Sequence, residues 1–422
     1  MLKNFFAAFF AAIFFVNPVA QAAVEENSDS DEYFEMPGEY RNDTEMPGEY
    51  KNDTELPGEY KNDTELPEEY KQPPIYEEDE KPPKNDTPVI DNENEGLEFL
   101  IYNKNGVMAF AIIADHEKYQ LRQILAKNQI RGRATVSQMT KTLDDIAIIN
   151  ASYFMPYGSL IGVAKIDGEI IGKDDFYRSA IGIYDDGTTI FGRVRYQGEI
   201  EYYGNSFPIY GVNCERGENS LVVYNDYFGA TTGTNNFGVE VLVSDGIITD
   251  IFYDKGNNAI PADGYVISAH GAAAEFLKMM NVGDSITINQ EIVSDDGNFN
   301  EVPNIIGAGP RLVMDGKVFV TAADENFPAD IRVGRAPRSA VGVTVYGDYI
   351  LAVVDGRQAH SKGCTLQEWA DILLNEFGAF NAINLDGGGS TELIVKDNIV
   401  NKPSDGHERL IGNAIAILPR DF

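Results

Sequence analysis

Between residues 349 and 391 the chain runs through an apolar stretch, a helical pattern and a second apolar stretch, and each stretch empties into an acidic loop that carries glycine. The helix is specified residue by residue. Thr365 stands as an N-cap with Glu368 three places on; Leu366, Trp369, Ala370, Leu373, Leu374 and Phe377 then recur at helical spacing, and Gly378 ends the pattern. This predicts a helix over 366–377 with one apolar face on a sheet. With strands over 349–354 and 380–385 on either side, the unit reads as a right-handed crossover between parallel strands. Asp355-Gly356-Arg357 and Asp386-Gly387-Gly388-Gly389-Ser390-Thr391 then leave the same edge of the sheet, and Asp355 and Asp386 are expected as neighbours.

Three glycines in a row leave backbone N–H groups with no side chain in front of them, a concavity suited to an anionic oxygen cluster. Other Asp-Gly pairs in the chain, at 167–168, 186–187, 245–246 and 315–316, read as ordinary turns.

The rest of the chain from residue 97 is rich in short strand-like segments, at 147–150, 159–165, 179–184, 189–196, 239–243, 341–345 and 393–395, many separated by Asp-Gly or Tyr-Gly turns. Helical patterns are fewer, at 117–128 and 272–280 besides 366–377. The expected fold class is α+β, β-rich, with residues 97–422 as one catalytic domain. A hydrophobic content of 43% with 22 Tyr and 23 Phe can fill a large core.

The net charge of −34 is concentrated. Residues 24–98 hold 26 acidic against 6 basic side chains, a local balance of −20, and within them a ten-residue unit recurs at 35–44, 45–54 and 55–64 before decaying from residue 65. Each unit has one Met or Leu and one Tyr to bury, too little for a core, so 23–96 is expected to be a disordered acidic tail whose partner the sequence does not name. No basic stripe for nucleic acid is present. The apolar run 5–16 after Lys3, followed by Pro18 and Ala20-Gln21-Ala22, reads as a signal peptide over 1–22 and is too short to span a bilayer. A secreted or periplasmic protein without a stable membrane span is expected. The two cysteines, Cys214 and Cys364, read as free buried thiols, with a single bridge chemically allowed.

Several blocks together resemble the phosphodiester glycosidase family. They are Ala336-Pro337-Arg338-Ser339-Ala340-Val341-Gly342, Val354-Asp355-Gly356-Arg357, the segment 363–370, and Asn381-Ala382-Ile383-Asn384-Leu385-Asp386 with its glycines and Ser390. Upstream, Asn150-Ala151-Ser152-Tyr153-Phe154, Ser268-Ala269-His270-Gly271 and Gly307-Ala308-Gly309-Pro310 are similar to the family in the same order, so the resemblance runs from about residue 99 to the end. The chain departs from the family at Ala151-Ser152, where Gly-Gly is frequent, and its repeat tail has no counterpart.

The resemblance implies an exported hydrolase acting on sugar-1-phosphate diesters of a phosphorylated glycan or envelope polymer. An arginine fork suits a phosphate, which makes Arg338 the first choice for charge neutralisation, with Ser339 beside it. Arg357 is a second clamp or the ion-pair partner of Asp355. Glycosidases ordinarily use two carboxylates, and Asp386 and Asp355 are the natural pair. His270 is either a general acid or a helix-start residue. Asn150 and Asn384 are candidates for sugar hydroxyls, Gly387, Gly388, Gly389, Ser390 and Thr391 for the phosphate cradle, and Tyr153 and Phe154 for an aromatic platform or core. No cofactor is required on this reading, although Asp355, Asp386 and Asn384 are oxygen ligands of the kind Ca²⁺ or Mg²⁺ accept. Two other readings stand beside it: a non-catalytic surface protein binding an anionic glycan, and a metal-dependent phosphodiesterase cutting P–O.

Overall fold

The computed structural model describes residues 96–420, apart from 142, 144–145, 156–158 and 174–175. The signal segment and the repeat tail lie outside the described residues.

The sheet that carries the 349–391 unit has seven strands in the order Leu97–Lys104, Val107–Ala114, Tyr349–Val354, Arg338–Val343, Asn381–Asn384, Arg311–Met314, Lys317–Val318. Its two central strands, Arg338–Val343 and Tyr349–Val354, are buried at every position. That follows from covering both faces. Because side chains alternate along a strand, Ala340, Ile350, Ala352 and Val354 face the helix Leu366–Asn375 through Leu366, Trp369 and Leu373. Val341, Val343, Leu351 and Val353 face the other way, onto Ile149, Leu393, Ile415 and Ile417 of a second sheet. This five-stranded sheet has the order Asn398–Ile399, Leu393–Val395, Ala147–Asn150, Asn413–Pro419, Tyr119–Leu125.

The expected crossover is present in a modified form. Tyr349–Val354 and Asn381–Asn384 run parallel, but they are not adjacent: Arg338–Val343 lies between them and pairs antiparallel with both. The cause is local. A tight turn over 344–348, closed by Thr344 N–H to Asp348 O and Gly347 N–H to Thr344 O with Gly347 at φ +96°, folds Arg338–Val343 back onto Tyr349–Val354. The longer helical connection is added outside that hairpin. Its effect is to bring the two acidic loops down on either side of Arg338.

The helix expected over 117–128 is instead the strand Tyr119–Leu125, antiparallel to Asn413–Pro419. Tyr119, Leu121, Gln123 and Leu125 are buried while Arg122 is exposed, a period of two rather than 3.6. The helix Leu366–Asn375 ends two residues earlier than its apolar pattern, yet Phe377 still packs edge-on against Trp369 at 6.3 Å. The helix expected over 272–280 forms but ends at Leu277, and it covers the other five-stranded sheet, built from strands between Gly211 and Ala269. A further seven-stranded sheet runs through Arg178–Ile183, Thr189–Tyr202 and Asn304–Gly307. Neither cysteine is in a disulfide; Cys364 is buried as expected, whereas Cys214 is only partly buried.

The capping box on the central helix forms in both directions: Thr365 Oγ1 accepts from Glu368 N–H at 3.2 Å and Glu368 Oε2 accepts from Thr365 N–H at 2.9 Å. Thr365→Ala is therefore expected to cost about 1 kcal/mol, read as a lower urea midpoint with an unchanged slope.

Candidate active site

Asp386 follows directly on the strand Asn381–Asn384 and Leu385, and its backbone is fixed before its side chain is placed. Asp386 N–H donates to Ala151 O at 2.8 Å, and Asn150 Nδ2 donates to Asp386 O at 2.6 Å. The carboxyl then takes Gly387 N–H on Oδ1 at 2.9 Å and the Ser390 hydroxyl. Burial is the stronger influence and pushes its pKa up to about 6, against the lowering effects of Ser390, Arg409 and Gly387 N–H. A carboxyl so placed releases and recovers a proton near neutral pH.

The glycine run is explained differently from the open cradle read from the sequence. Gly387 N–H is taken by Asp386 itself, Gly388 N–H by Pro337 O at 2.9 Å, Ser390 N–H by Gly387 O and Thr391 N–H by Gly388 O. Gly389 alone of the five has an amide without a partner among the described residues. The absent side chains are used by neighbours. A Cβ at Gly388, whose φ is +64°, would stand 3.3 Å from both terminal nitrogens of Arg357. One at Gly389 would overlap Arg409 Nη2 and the Asp405 carboxylate. The run thus lets two guanidinium groups close on the backbone beside Asp386.

Arg357, exposed and at φ +59°, makes no ion pair among the described residues. It does not pair with Asp355, which resolves its two readings in favour of a free cation over Gly388. Asp355 is buried and held elsewhere: Oδ1 accepts Lys402 N–H at 2.9 Å and Asn401 Nδ2 at 3.3 Å, and Oδ2 meets His360 Nε2 at 2.8 Å. Asn401 Nδ2 also donates to Thr391 O at 3.1 Å, tying the two loops together. Asp355 therefore orients an imidazole whose other nitrogen is left for solvent or substrate. Arg409 reaches the same loop at Gly389 and Ser390, with Nε and Nη2 on Asp405 Oδ2 at 2.9 and 2.7 Å and Nη1 3.4 Å from Ser390 Oγ.

Arg338, the expected phosphate ligand, is instead buried and committed to the backbone. Its Nε donates to Cys364 O at 3.2 Å and Nη2 to Gly334 O at 2.7 Å and Ile331 O at 3.1 Å. Ser339 and Asn150 are likewise framework: Ser339 Oγ donates to Asn150 Oδ1 at 2.6 Å, which also accepts Glu392 N–H at 3.2 Å, so neither has polar atoms to spare for a sugar or phosphate. Asn384 Nδ2 donates to Tyr153 Oη at 3.1 Å and Leu385 O at 2.5 Å, while its Oδ1 and the Thr391 hydroxyl are buried without a partner among the described residues. Tyr153 donates to Gly309 O at 3.1 Å and packs on Phe327 with centroids 5.7 Å apart. Burial first, and Asp386 second, push its phenol upward.

His270 is not brought to this site. It ends the strand Gly264–Ala269 of the other five-stranded sheet, its backbone N–H on Ser220 O and its Nδ1 accepting Asn219 N–H at 3.4 Å, the helix-start arrangement. Of the oxygens expected to hold Ca²⁺ or Mg²⁺, those of Asp355 are bonded to His360, Asn401 and Lys402 and the Asp386 carboxyl to Gly387 N–H and Ser390, while Asn384 Oδ1 has no partner among the described residues. Asp115, His116 and Asp348, whose ligand atoms lie within 4.8 Å of one another, have the spacing for a divalent ion and sit at the far end of the first sheet.

Residues 237–418 match the phosphodiester glycosidase family. That stretch, rather less than half of the chain, carries the phosphodiester glycosidase domain. Within this phosphodiester glycosidase family, the bovine N-acetylglucosamine-1-phosphodiester alpha-N-acetylglucosaminidase is 43% identical over 68 residues, which cover 16% of this chain and 12% of that protein. An uncharacterized SPbeta prophage-derived protein of Bacillus subtilis is 34% identical over 129 residues, 31% of this chain and 19% of the relative. The chain thus spans less than a third of the length of the curated relatives it matches. The crystal structure of a hypothetical protein from Synechocystis superposes with a TM-score of 0.68 at 25% identity, covering 79% of this chain and 64% of that one.

The sequence reading missed His360, Asn401, Asp405, Glu408 and Arg409. His360, five residues after Asp355, carried a signal in its proximity; the others come from the coil 401–412, where no motif marks them. The division into framework and free groups is measurable. Asn150→Ala leaves the Ser339 hydroxyl and Glu392 N–H unsatisfied and is expected to cost about 2 kcal/mol, whereas Arg357→Ala is expected to change stability by less than about 0.5 kcal/mol, both by urea titration.

Proposed function

We propose that this phosphodiester glycosidase family member hydrolyses glycosyl phosphodiesters, breaking the bond between the anomeric carbon and the phosphate oxygen. The observation that carries the reading is Asp386, a carboxyl with its pKa raised to about 6, standing beside a glycine turn against which Arg357 and Arg409 both lie. Phosphate is a weakly basic leaving group, so positive charge can replace much of the proton donation an ordinary glycoside needs. The Arg357 guanidinium meets a phosphate oxygen pair as two N–H donors. Arg409, already neutralised in part by Asp405, supports the same side of the loop.

In this reading the ionised Asp386 works at the anomeric carbon, either on the attacking water or as the nucleophile. His360, oriented by Asp355, stands on the rim beside Arg357 to exchange a proton with the departing phosphate or with water. Tyr153, partly buried against the core residue Phe327, is the aromatic side chain of this region that a sugar face could meet. A released sugar of the N-acetylglucosamine type and a phosphorylated glycan or envelope polymer as substrate fit the names of the curated relatives and the signal-like N-terminus, and export belongs to the same proposal.

Asp386→Asn is expected to abolish sugar release from a glycosyl-1-phosphate diester while circular dichroism stays unchanged; full retained turnover overturns the assignment. Saturable binding of the diester by the unaltered chain without product would indicate a binding protein. Loss of activity on chelation, with oxygen-18 from water entering the phosphate, would indicate P–O cleavage instead.

The same substitution has a pH signature. Because the folded pKa of Asp386 is raised, its stabilising contribution is complete below the unfolded value near pH 4 and lost as pH rises through about 6. Asp386→Asn is therefore expected to match the unaltered chain in stability near pH 4 and to exceed it by about 3 kcal/mol near pH 8, read by thermal melts across that range.

A further inference from the structure

Directly after the catalytic loop, Glu392 is buried at 2% exposure, with Oε1 lacking any partner among the described residues. Its side chain is in hydrogen-bond contact with another carboxyl, that of Glu408. The two are not equivalent. Glu408 accepts from Ser137 twice, Oγ to Oε1 at 2.7 Å and N–H to Oε2 at 3.2 Å, which suits a carboxylate; Glu392 has no donor of its own, which suits an acid. We propose that Glu392 and Glu408 share one proton, and that this acid–carboxylate bond latches the coil 403–410 so that Arg409 stays over Gly389 and beside Asp386.

The coil has little else to hold it. Its ends are fixed where Lys402 N–H meets Asp355 and where Ile411 pairs with Ala134. Among the described residues, side chains attached outside the coil include Glu408, on Ser137 and Glu392, and Arg409, on Ser390. The latch residue adjoins Arg409 in sequence, so its release carries Arg409 with it.

Charged neighbours reinforce the arrangement. The strand Leu393–Val395 that follows Glu392 is packed by Ala147–Asn150, Asn398–Ile399, the helix Val136–Thr140 and Tyr349–Val354. Among these the titratable side chain is Tyr349, whose hydroxyl donates to Gly187 O at 2.7 Å. The coil adds its own Asp405, His407, Glu408 and Arg409, and Arg133 adjoins Ala134 where the coil's end pairs at Ile411. Burial, then Glu408, raise the Glu392 carboxyl well above its ordinary range. With a raised folded pKa the latch is complete in acid and is lost as pH rises through that pKa. Arg409 lowers the pKa of Asp386, so opening the latch on the alkaline side withdraws a positive charge from beside Asp386 and from the side of the loop where a phosphate would lie.

The link to catalysis rests on the proposed hydrolase reading, but the latch is tested without substrate. Hydrogen exchange of the full chain, corrected for the intrinsic pH dependence, follows Ser137 N–H and the amides of 403–410 between about pH 6 and pH 9, a span chosen because buried glutamates reach about 8–9. Protection in the unaltered protein is expected to fall by about tenfold or more over that range, the equivalent of one pKa unit of linkage. Glu392→Gln, which keeps a donor toward Glu408 without a titrating proton, is expected to show the same protection at both ends, as is Glu408→Gln. Equal pH dependence in Glu392→Gln and the unaltered chain overturns the latch, as does a pH-independent unaltered chain. Loss of protection on adding EDTA at about pH 6 also overturns the shared proton, in favour of a bridging cation. In a turnover assay Glu392→Gln is expected to remove the alkaline fall in kcat/KM, whereas a merely structural Glu392 would lower activity equally at every pH.

Discussion

The amide of Asn150 is the knot on which the site depends. One side chain from the second sheet donates to the Asp386 carbonyl and accepts from Ser339 of the first sheet and from Glu392 N–H. Two sheets and the loop between them are thereby held at fixed separation by a residue that is itself almost wholly buried. A partly buried carboxyl with a raised pKa tends to turn toward water, and only a backbone fixed on both sides keeps Asp386 in its place.

Around that knot the site divides by charge. The buried cation, Arg338, spends its donors on carbonyls that close the 331–338 and 364 segments. The accessible cation, Arg357, stands in left-handed backbone with nothing to neutralise it among the described residues. The contrast follows from solvation: a guanidinium shielded from water takes backbone carbonyls as partners, here through Nε and Nη2, while one at the surface can wait for an anion.

Much of this was legible in the chain. The helix 366–377, its capping box, the parallel direction of the flanking strands and the meeting of their loops follow from periodicity and turn chemistry. The inserted strand was not, because a hairpin between 338–343 and 349–354 and a crossover between 349–354 and 381–384 use the same apolar pattern. Segment 117–128 misled because Tyr119, Leu121 and Leu125 fit both periods at their ends. Arg338 misled for another reason: a loop arginine beside a motif looks alike in sequence whether it faces solvent or a set of carbonyls. Arg409 and Glu408 gave no signal, since a coil's contacts are set by tertiary placement alone.

The hairpin turn at 344–348 places Val345 and Tyr346 in solvent at the end of their strands away from Asp355 and Asp386. Six residues of strand separate the two ends, about 20 Å at the usual rise. A tether, dye or surface linkage introduced at Tyr346 would therefore leave the rim of the candidate site facing away from its support, which makes this turn the natural point for immobilising the protein on a matrix.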